Sequence, residues 1–336
     1  MGDGAGKAIG GLARLGNSQG RYTHRILLLD RPVKLNHIEC CRQSGIEILG
    51  RSDLNQAISQ ADVVIISWWG GRVMDEFLAG FQKTPCRVLL WSHVNGYFPP
   101  KFPDGFVKQF DGLLATSRFT LQNPDWNNNS ELVYGFGDFS PANIVVKSDY
   151  TIKDDLFKIG YVGMPGYKRF PPNAMDYFAE VIKLILGVKF IMAGEVSDEF
   201  RTDIKNYGFE QYFEFLGWVD NVNDLLLSFD VFGYLMKQDT TATTENSVIE
   251  AMAVALPCVV SKRPIGKYLL DDNISGILID NPSEYANVMY RIYRDIVLRE
   301  SLGRKALEYV VDKYNAYDNL ARFNSACERV VERGKL

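Results

Sequence analysis

Short apolar runs alternate with amphipathic segments along most of the chain. The runs predict strands, and the helical periodicity between them predicts helices, for example at 73–81. Because this alternation is typical of parallel sheets covered on both faces, the pattern predicts an α/β fold. In the first half the predicted strands are 24–30, 46–49, 62–68, 87–93, 112–117 and 132–135.

The pattern breaks at a polar stretch rich in turn residues, "GDFSPANIVVKSDYTIKDDL", at 137–156. Such stretches link domains, so we predict a first lobe at 1–145 and a second lobe at 146–315. A C-terminal helix at 316–336 is expected to pack back on the first lobe. Predicted strands of the second half are 158–163, 189–194, 213–217, 231–236, 258–261 and 276–279. Predicted helices there are 173–186, 197–206, 223–228, 247–255 and 283–295, and a long helical tail follows from about 298 to 331.

Both lobes are expected to be doubly wound, with helices on each face of the sheet. In such sheets ligands bind beyond the carboxyl ends of the strands. Between two lobes the natural site is the cleft that they form. The loops that follow the predicted strands are therefore where candidate site residues belong.

Composition narrows the classes of function. The 336 residues carry a net charge of -4, which argues against nucleic acid as the main partner. No apolar run approaches the roughly 18 residues of a membrane span, and the first residues lack the apolar core of a secretory signal. The five cysteines are an odd number without metal-like spacing. We therefore expect a cytoplasmic protein with reduced thiols, and leave peripheral contact with a membrane open.

The amino-terminal stretch "GDGAGKA" resembles a phosphate-binding loop but departs from both common forms. Ala8 replaces the hydroxyl residue of a P-loop, and Ile9 stands where a dinucleotide fingerprint has its third glycine. Gly4 and Gly6 remain candidates for a turn that opens a helix toward a phosphate or an acceptor. A terminus without fixed structure is the alternative. No strand precedes this stretch, so the first strand of the lobe is expected to be missing.

Two further motifs follow predicted strands of the first lobe. "VLLWSHVNGYF" places His93 at a strand end, where a structural role and a site role are equally open. No partner residue lies at zinc spacing, and the chain has no Asp-x-Asp for a metal on a diphosphate. "SWWGG", at 67–71, either packs into the core or lines a pocket.

The second lobe opens with "IGYVGMPGYKRF", a strand that runs into a glycine-rich turn carrying Lys168 and Arg169. A fixed pair of cations there suits a diphosphate and stabilises it as it leaves. Two solvated surface cations are the alternative.

"TATTENSVIEAMAVALPCVVS", at 241–261, places two carboxylates around a predicted helix start. Ser247 and Glu250 fit the spacing of a capping box, which would make Glu250 purely structural. A carboxylate one turn into the helix also suits a ribose diol, and the N–H groups of 243–247 suit a phosphate. Glu245 and Glu250 lie about 140° apart around a helix, so they cannot share one face.

In this order the motifs resemble the retaining GT-B glycosyltransferases of family 4. "ENSVIEAMAVALPCVVS" is similar to the signature helix and strand of that family, and "YVGMPGYKR" to its diphosphate loop. "GWVDNVNDLLLSFDVFGYLM" is similar to the segment that holds the base, and "LLWSH" to the strand that ends in the active-site histidine. The resemblance implies the GT-B type of fold, with two Rossmann-like lobes facing an interlobe cleft. The implied donor-site residues are Gly163, Gly194, Gly217, Val219, Thr243, Thr244, Glu245, Asn246, Ser247 and Glu250.

Two positions depart from the family pattern. The first glutamate of the signature falls on Ala242, and the arginine of the diphosphate loop falls on Met164. Lys168 and Arg169 are then left to supply the positive charge. The departures put in doubt which groups hold the sugar and the leaving phosphate.

The resemblance implies transfer of a sugar from a nucleotide diphosphate sugar, with retention and without a metal or other cofactor. His93, Lys168 and Arg169 would carry the catalytic roles, and Glu250 would bind the ribose. The acceptor would be a glycan, a lipid-linked molecule or a protein. A nucleotide-sugar epimerase of the same fold and a non-catalytic bilobal sugar- or nucleotide-binding protein are the alternatives.

Overall fold

The computed structural model describes residues 4–32, 35–81, 86–102, 105–124, 130–136 and 145–333. The chain divides into two compact units. Part of the predicted boundary, 137–144, lies outside the described residues. Unit 1 comprises Met1–Ser140, Thr241–Asn246 and Tyr314–Leu336, and unit 2 comprises Pro141–Thr240 and Ser247–Lys313.

The strands of unit 1 form two parallel sheets. One sheet pairs β1 (Arg25–Leu27) with β2 (Glu47–Leu49). The other has the order β3 (Val63–Trp68), β4 (Arg87–Ser92), β5 (Gly112–Ala115) and β6 (Ser130–Leu132). The alternation of apolar and amphipathic segments therefore predicted β1 to β5 correctly, but it carried no information on the division of the strands between sheets.

The last strand of this group differs from the expected 132–135. β6 ends at Leu132, and the backbone N–H of Tyr134 donates to the side-chain oxygen of Asn319 at 2.8 Å. The amide of Asn319 in turn donates to the carbonyl of Tyr134 at 3.1 Å. A side chain from the C-terminal helix thus takes the place of a neighbouring strand.

Five helices cover the described part of unit 1. Helix α1 packs against α2 and α12, and α12 packs against β4, β5 and β6. The glycines and alanines of α1 at Gly6, Ala8 and Gly10 are buried, so small side chains bring this helix close to its neighbours. The helices are α1 (Gly4–Ser18), α2 (Asn36–Gln43), α3 (Leu54–Ser59), α4 (Arg72–Gly80) and α12 (Ala316–Glu332).

The helical tail predicted at 298–331 consists of two helices, and the second begins where the C-terminal helix at 316–336 was expected. Helix α11 ends at Lys313 and α12 begins at Ala316. The side chain of Asn315 accepts hydrogen bonds from the backbone N–H groups of Tyr317 and Asp318. An asparagine at this position caps the start of a new helix, so α11 and α12 are separate helices.

Unit 2 holds one six-stranded parallel sheet. Its order is β12-β11-β10-β7-β8-β9. This is a doubly wound order, in which strands are added to one side of the sheet from β7 to β9 and to the other side from β10 to β12. The order therefore reverses between β7 and β10. The strands are β7 (Phe157–Val162), β8 (Val188–Ala193), β9 (Phe213–Gly217), β10 (Val231–Tyr234), β11 (Cys258–Ser261) and β12 (Ile277–Ile279). The helices of this part of the chain are α5 (Ala174–Leu184), α6 (Asp198–Asn206), α7 (Val222–Leu227), α8 (Asn246–Ala253), α9 (Gly266–Leu269), α10 (Pro282–Arg294) and α11 (Ile296–Lys313).

A buried charged cluster fixes the segment that precedes β7. Asp230 accepts from the backbone N–H of Lys158 at 2.7 Å, and the ammonium of Lys147 donates to the carbonyl of Leu227 at 3.0 Å. Arg299 donates to the carbonyl of Tyr150 at 3.1 Å. Burial raises the pKa of Asp230 and lowers the pKa of Lys147. The cluster lies where β10 begins, at the edge of the sheet opposite the strand carboxyl ends.

We expect His24 to make the stability of unit 1 sensitive to acid. Its ring lies 6.0 Å from that of Phe323, and its buried Nε2 has no hydrogen-bond partner among the described residues. Burial lowers the pKa of this imidazole. A depressed pKa means that the unfolded chain binds the proton more readily. The stabilisation is therefore present above the ordinary histidine pKa of about 6.5 and is lost as the pH falls through the lower folded value.

We expect His24→Gln to flatten the pH dependence of stability between pH 7.5 and pH 5. The reason is that glutamine has no proton to take up in this range. Thermal melting of the wild type and the variant across the range measures the effect. Parallel curves for the two proteins would show that His24 does not carry the acid sensitivity.

Candidate functional site

Three predicted glycines meet at the carboxyl edge of the unit 2 sheet. The N–H of Gly163, after β7, donates to the carbonyl of Ala193 at 3.0 Å. The N–H of Gly194, after β8, donates to the carbonyl of Gly217 at 2.6 Å. A Cβ at Gly194 would lie only 1.7 Å from the carbonyl oxygen of Gly163. We call Gly163, Gly194 and Gly217 the glycine ledge; at Gly194 the two backbones approach too closely for any side chain.

The loop after β7 carries the two predicted cations. The backbone N–H groups of Arg169 and Phe170 both donate to the carbonyl of Gly166 at 2.9 Å, which forms a tight turn. The side chain of Lys168 is exposed and that of Arg169 is half-buried. The turn therefore fixes the backbone from which both cations project.

A third cation approaches this loop from across the point where the strand order reverses. The backbone N–H of Lys237, which follows β10, donates to the carbonyl of Arg169 at 2.8 Å. The ammonium of Lys237 lies 3.4 Å from a carboxylate oxygen of Asp239. Sequence reasoning missed Lys237. The available signal was its place after a strand, which gains meaning only once β10 is known to lie beside β7.

The same loop is anchored to helix α6. The hydroxyl of Tyr167 donates to a carboxylate oxygen of Asp203 at 2.5 Å. Burial and this hydrogen bond raise the pKa of Tyr167, so the phenol remains a donor at neutral pH. Gly166 fits tightly here, since a Cβ on it would lie 2.4 Å from the hydroxyl oxygen of Ser197. We call residues 166–170 the cation loop. The adjacent residues Gly166 and Tyr167 hold it in place.

The segment after β9 contains the two candidates for the base site. Gly217 has a φ of 64°, a backbone conformation that favours glycine. Val219 is half-buried. Between them the side chain of Trp218 is 63% exposed, and its indole N–H donates to Asp220 at 3.2 Å. This hydrogen bond orients an exposed aromatic face beside the glycine ledge.

Helix α8 begins at Asn246, one residue earlier than expected. Ser247 therefore lies inside the helix rather than at its N-cap, and the capping-box alternative for Ser247 and Glu250 does not fit. Glu250 lies in the second turn, half-buried, rather than in the first. Glu245 precedes the helix and is only 8% exposed.

Thr241–Asn246 belongs to unit 1 and crosses the carboxyl edge of its four-stranded sheet. The hydroxyl of Thr243 donates to the carbonyl of His93, just after β4, at 3.3 Å. The hydroxyl of Thr244 donates to the carbonyl of Thr116, just after β5. It accepts from the N–H of Gly135 at 3.1 Å. The hydroxyls of two predicted donor residues are therefore engaged by the backbone of unit 1.

His93 lies between the rings of two tryptophans. Its ring centroid is 4.6 Å from that of Trp91 and 6.0 Å from that of Trp69. The backbone N–H of His93 donates to the carbonyl of Trp68 at 2.7 Å. Trp68 is buried and stacks on Phe102, whereas Trp69 is 41% exposed. Trp68 of "SWWGG" therefore packs into the core, whereas a pocket-lining role for Trp69 stays a prediction.

The glycine-rich amino terminus contacts Asn246, which belongs to the same unit. Gly4 and Gly6 both belong to the first turn of α1, and the side-chain amide of Asn246 donates to the carbonyl of Gly4 at 3.5 Å. Gly2, with which the motif begins, lies outside the described residues. Unit 1 thus brings together Gly4, Asn246, Thr243 and His93.

Unit 2 separately brings together the glycine ledge, the cation loop and Lys237. Ser247 and Glu250 also belong to this unit. In the described ranges no three His, Cys, Asp or Glu side chains are grouped so that they could hold a metal ion. No helix in those ranges is long and apolar enough to cross a membrane.

The geometry of unit 2 agrees with a comparison of sequences. Residues 157–295 match the family model described as Glycosyl transferases group 1. The match begins at β7 and ends after α10, and it covers less than half of the chain. No curated protein matches the chain by sequence.

Solved structures with the same fold cover most of the chain. Anabaena Alr3699/HepE, solved in complex with UDP and glucose, is 13% identical with a TM-score of 0.72, covering 97% of this chain and 96% of its own. A glycosyltransferase from Rickettsia africae is 13% identical with a TM-score of 0.73, covering 98% and 95%. Sucrose-phosphate synthase from Thermosynechococcus elongatus is 14% identical with a TM-score of 0.65, covering 84% and 77%. The predicted α/β fold of the GT-B type is therefore confirmed.

Proposed function

We propose that the chain is a glycosyltransferase that moves a sugar from a nucleotide diphosphate sugar to an acceptor, with retention and without a metal ion. The observation that carries the proposal is the family match at 157–295. That match contains the glycine ledge, the cation loop with Lys168 and Arg169, and Glu250. All of these follow strands of a doubly wound sheet, where ligands of such sheets bind.

The donor that we propose first is a uridine diphosphate sugar. Anabaena HepE was solved with UDP and, in another crystal, with UDP-glucose. HepE is only 13% identical to this chain in sequence. Its ligand therefore decides which donor is tested first and does not identify the base. Gly217 and Val219 would hold the base, with Trp218 exposed between them.

The proposed chemistry depends on charge that develops on the departing diphosphate. Lys168 and Arg169 would neutralise that charge, because cations fixed before the reaction need no reorganisation when the bond breaks. The N–H groups at the start of α8 would add to the stabilisation. No protein nucleophile is required in the front-face mechanism that the resemblance implies. Electrostatic stabilisation of the leaving group would then be the main catalytic contribution.

Two further side chains have proposed roles in holding the reactants. Glu250 would accept hydrogen bonds from the two ribose hydroxyls, a role for which its half-buried place in the second turn of α8 leaves it accessible. His93 would contact the sugar or its developing charge near the acceptor. Its ring is oriented for this by contacts with Trp91 and Trp69.

We expect UDP to raise the melting temperature in a thermal-shift panel with UDP, GDP, ADP, CDP and NAD. A ligand at a hundred times its dissociation constant adds about 2.7 kcal/mol of stability, which is readily detected. The shift should persist in the presence of a chelator. Glu250→Ala should weaken it strongly, whereas Glu199→Ala, an exposed carboxylate on α6, should leave it unchanged.

The other outcomes of the panel separate the alternatives. A shift with NAD alone would replace the transferase by a dehydrogenase. No shift with any nucleotide would favour a degenerate donor site or a non-catalytic binding protein. If UDP binds, analysis of the products formed from UDP-glucose distinguishes transfer from epimerisation, because an epimerase returns a nucleotide sugar and releases no UDP.

A further inference from the structure

Asn95 occupies a fully buried position at the carboxyl edge of the unit 1 sheet, and its polar groups make four hydrogen bonds. It lies three residues after β4 and is 0% exposed. Its backbone N–H donates to the carbonyl of Thr241 at 3.2 Å. Its side-chain amide donates to the carbonyl of Ala242 at 3.1 Å. Its side-chain oxygen accepts from the N–H groups of Tyr97 and Phe98 at 3.0 Å and 3.4 Å.

These bonds fix the start of the segment Thr241–Asn246. Two carbonyls in a row are held by one residue, and the hydroxyls of Thr243 and Thr244 are held by the backbone immediately beyond. A buried carbonyl without a donor costs free energy, so the amide of Asn95 both satisfies Ala242 and selects this backbone path.

We propose that Asn95 is a positioning residue, which sets the conformation of Thr241–Asn246 and thereby the start of helix α8. The inference rests on the proposed function, in which the first turn of α8 faces the leaving phosphate. Asn95 touches neither donor nor acceptor in this account. Its contribution reaches the reaction through the backbone that it holds.

The anchoring by Asn95 matters because of the residue at position 242. Ala242 stands where the resemblance leads one to expect a glutamate, so position 242 has no side chain able to bind a partner. Its carbonyl is instead bonded by Asn95, and the methyl group is 4% exposed. The side-chain amide of Asn95 thus anchors position 242 through its backbone carbonyl.

Asn95→Asp provides a pH-dependent test. The aspartate keeps the acceptor for Tyr97 and Phe98 but, when ionised, has no hydrogen to donate to Ala242. When protonated, its hydroxyl can donate to that carbonyl again. Burial favours the protonated form, so the rescue falls in an accessible pH range.

We expect Asn95→Asp to lower kcat about 10²-fold relative to wild type at pH 8, with little change in the UDP dissociation constant. The ratio of variant to wild-type kcat should rise as the pH falls toward 5.5. Hydrogen exchange of peptides that cover 241–246 should be faster in the variant at pH 8. Asn95→Ala should show the same loss without the rescue at low pH.

Asn319→Asp is the matched control. Asn319 is also buried, donates to one backbone carbonyl and accepts from one backbone N–H, and makes no bond to Thr241–Asn246. It should lose stability without altering exchange at 241–246 or kcat of the folded enzyme. The same loss of kcat in both variants would mean that any buried aspartate disturbs unit 1, and would overturn the proposal.

The exchange measurement separates this proposal from the proposed function. If no donor supports transfer by the wild type, the function fails, yet faster exchange at 241–246 in Asn95→Asp still shows that Asn95 holds the segment. Unchanged exchange overturns the positioning role whatever the activity. Faster exchange with unchanged kcat also overturns it, because the segment would then not matter to transfer.

Discussion

Replacing Lys168 and Arg169 together by alanine should lower the rate of sugar transfer by roughly 10²- to 10³-fold. The reason is that they would be the cations nearest the departing diphosphate, and losing one preorganised donor to a developing anion costs about this much. Folding should change little, because Lys168 is exposed, Arg169 is only half-buried, and substitutions outside the core usually cost about 0.5 kcal/mol. Steady-state kinetics with UDP-glucose, together with urea unfolding, measures both quantities.

Arg291→Ala with Arg294→Ala is the control for this double variant. Both arginines are exposed on α10, so the change removes the same formal charge from the same unit at a different place. Equal losses of rate in the two double variants would indicate a long-range field effect. Full activity in the variant of Lys168 and Arg169 would show that the assignment of these cations is wrong, and would direct attention to Lys237.

Gly194→Ala should destabilise unit 2 by about 2–4 kcal/mol and abolish the thermal shift caused by UDP. The residue has a φ of 118°, and its new Cβ would meet the carbonyl oxygen of Gly163. Conformational strain and forced displacement of backbone each cost about 1–3 kcal/mol. Urea denaturation and the thermal-shift assay test the two effects.

Gly208→Ala isolates the part that comes from backbone conformation alone. Gly208 has a φ of 68°, and a Cβ on it would have no atom within 4 Å. Its replacement should cost only about 1–2 kcal/mol and leave UDP binding intact. If both variants lost the same stability, close packing at the glycine ledge would not be the cause.

The sequence predicted the parts of the fold that depend on local pattern. The six strands of unit 2 agree with their predicted ranges to within two residues, because short apolar runs bounded by turn residues and separated by helical patterns are typical of parallel strands. The helical tail at 298–331 lies in two helices, and the second begins at Ala316, where the C-terminal helix was expected to begin and where Asn315 caps it.

The candidate site was harder to predict where its parts are distant in the chain. The glycines at strand ends could be found because each follows its own strand. The bond from Asn95 to Ala242 joins residues separated by 147 positions, and no local pattern reports it. Lys237 was missed for a related reason, since its importance follows from strand order and not from its neighbours.

The contribution of α12 to unit 1 has a consequence for the order of folding during synthesis. Leu320 and Phe323 of this helix complete a core that also contains Leu12, Leu89 and Leu114. The sheet of unit 2, in contrast, has all its strands once Ile279 has been made. Although its first residues leave the ribosome earliest, unit 1 must wait for residues near the end of the chain. The amino-terminal unit is therefore the second to reach its finished core, which reverses the usual vectorial order.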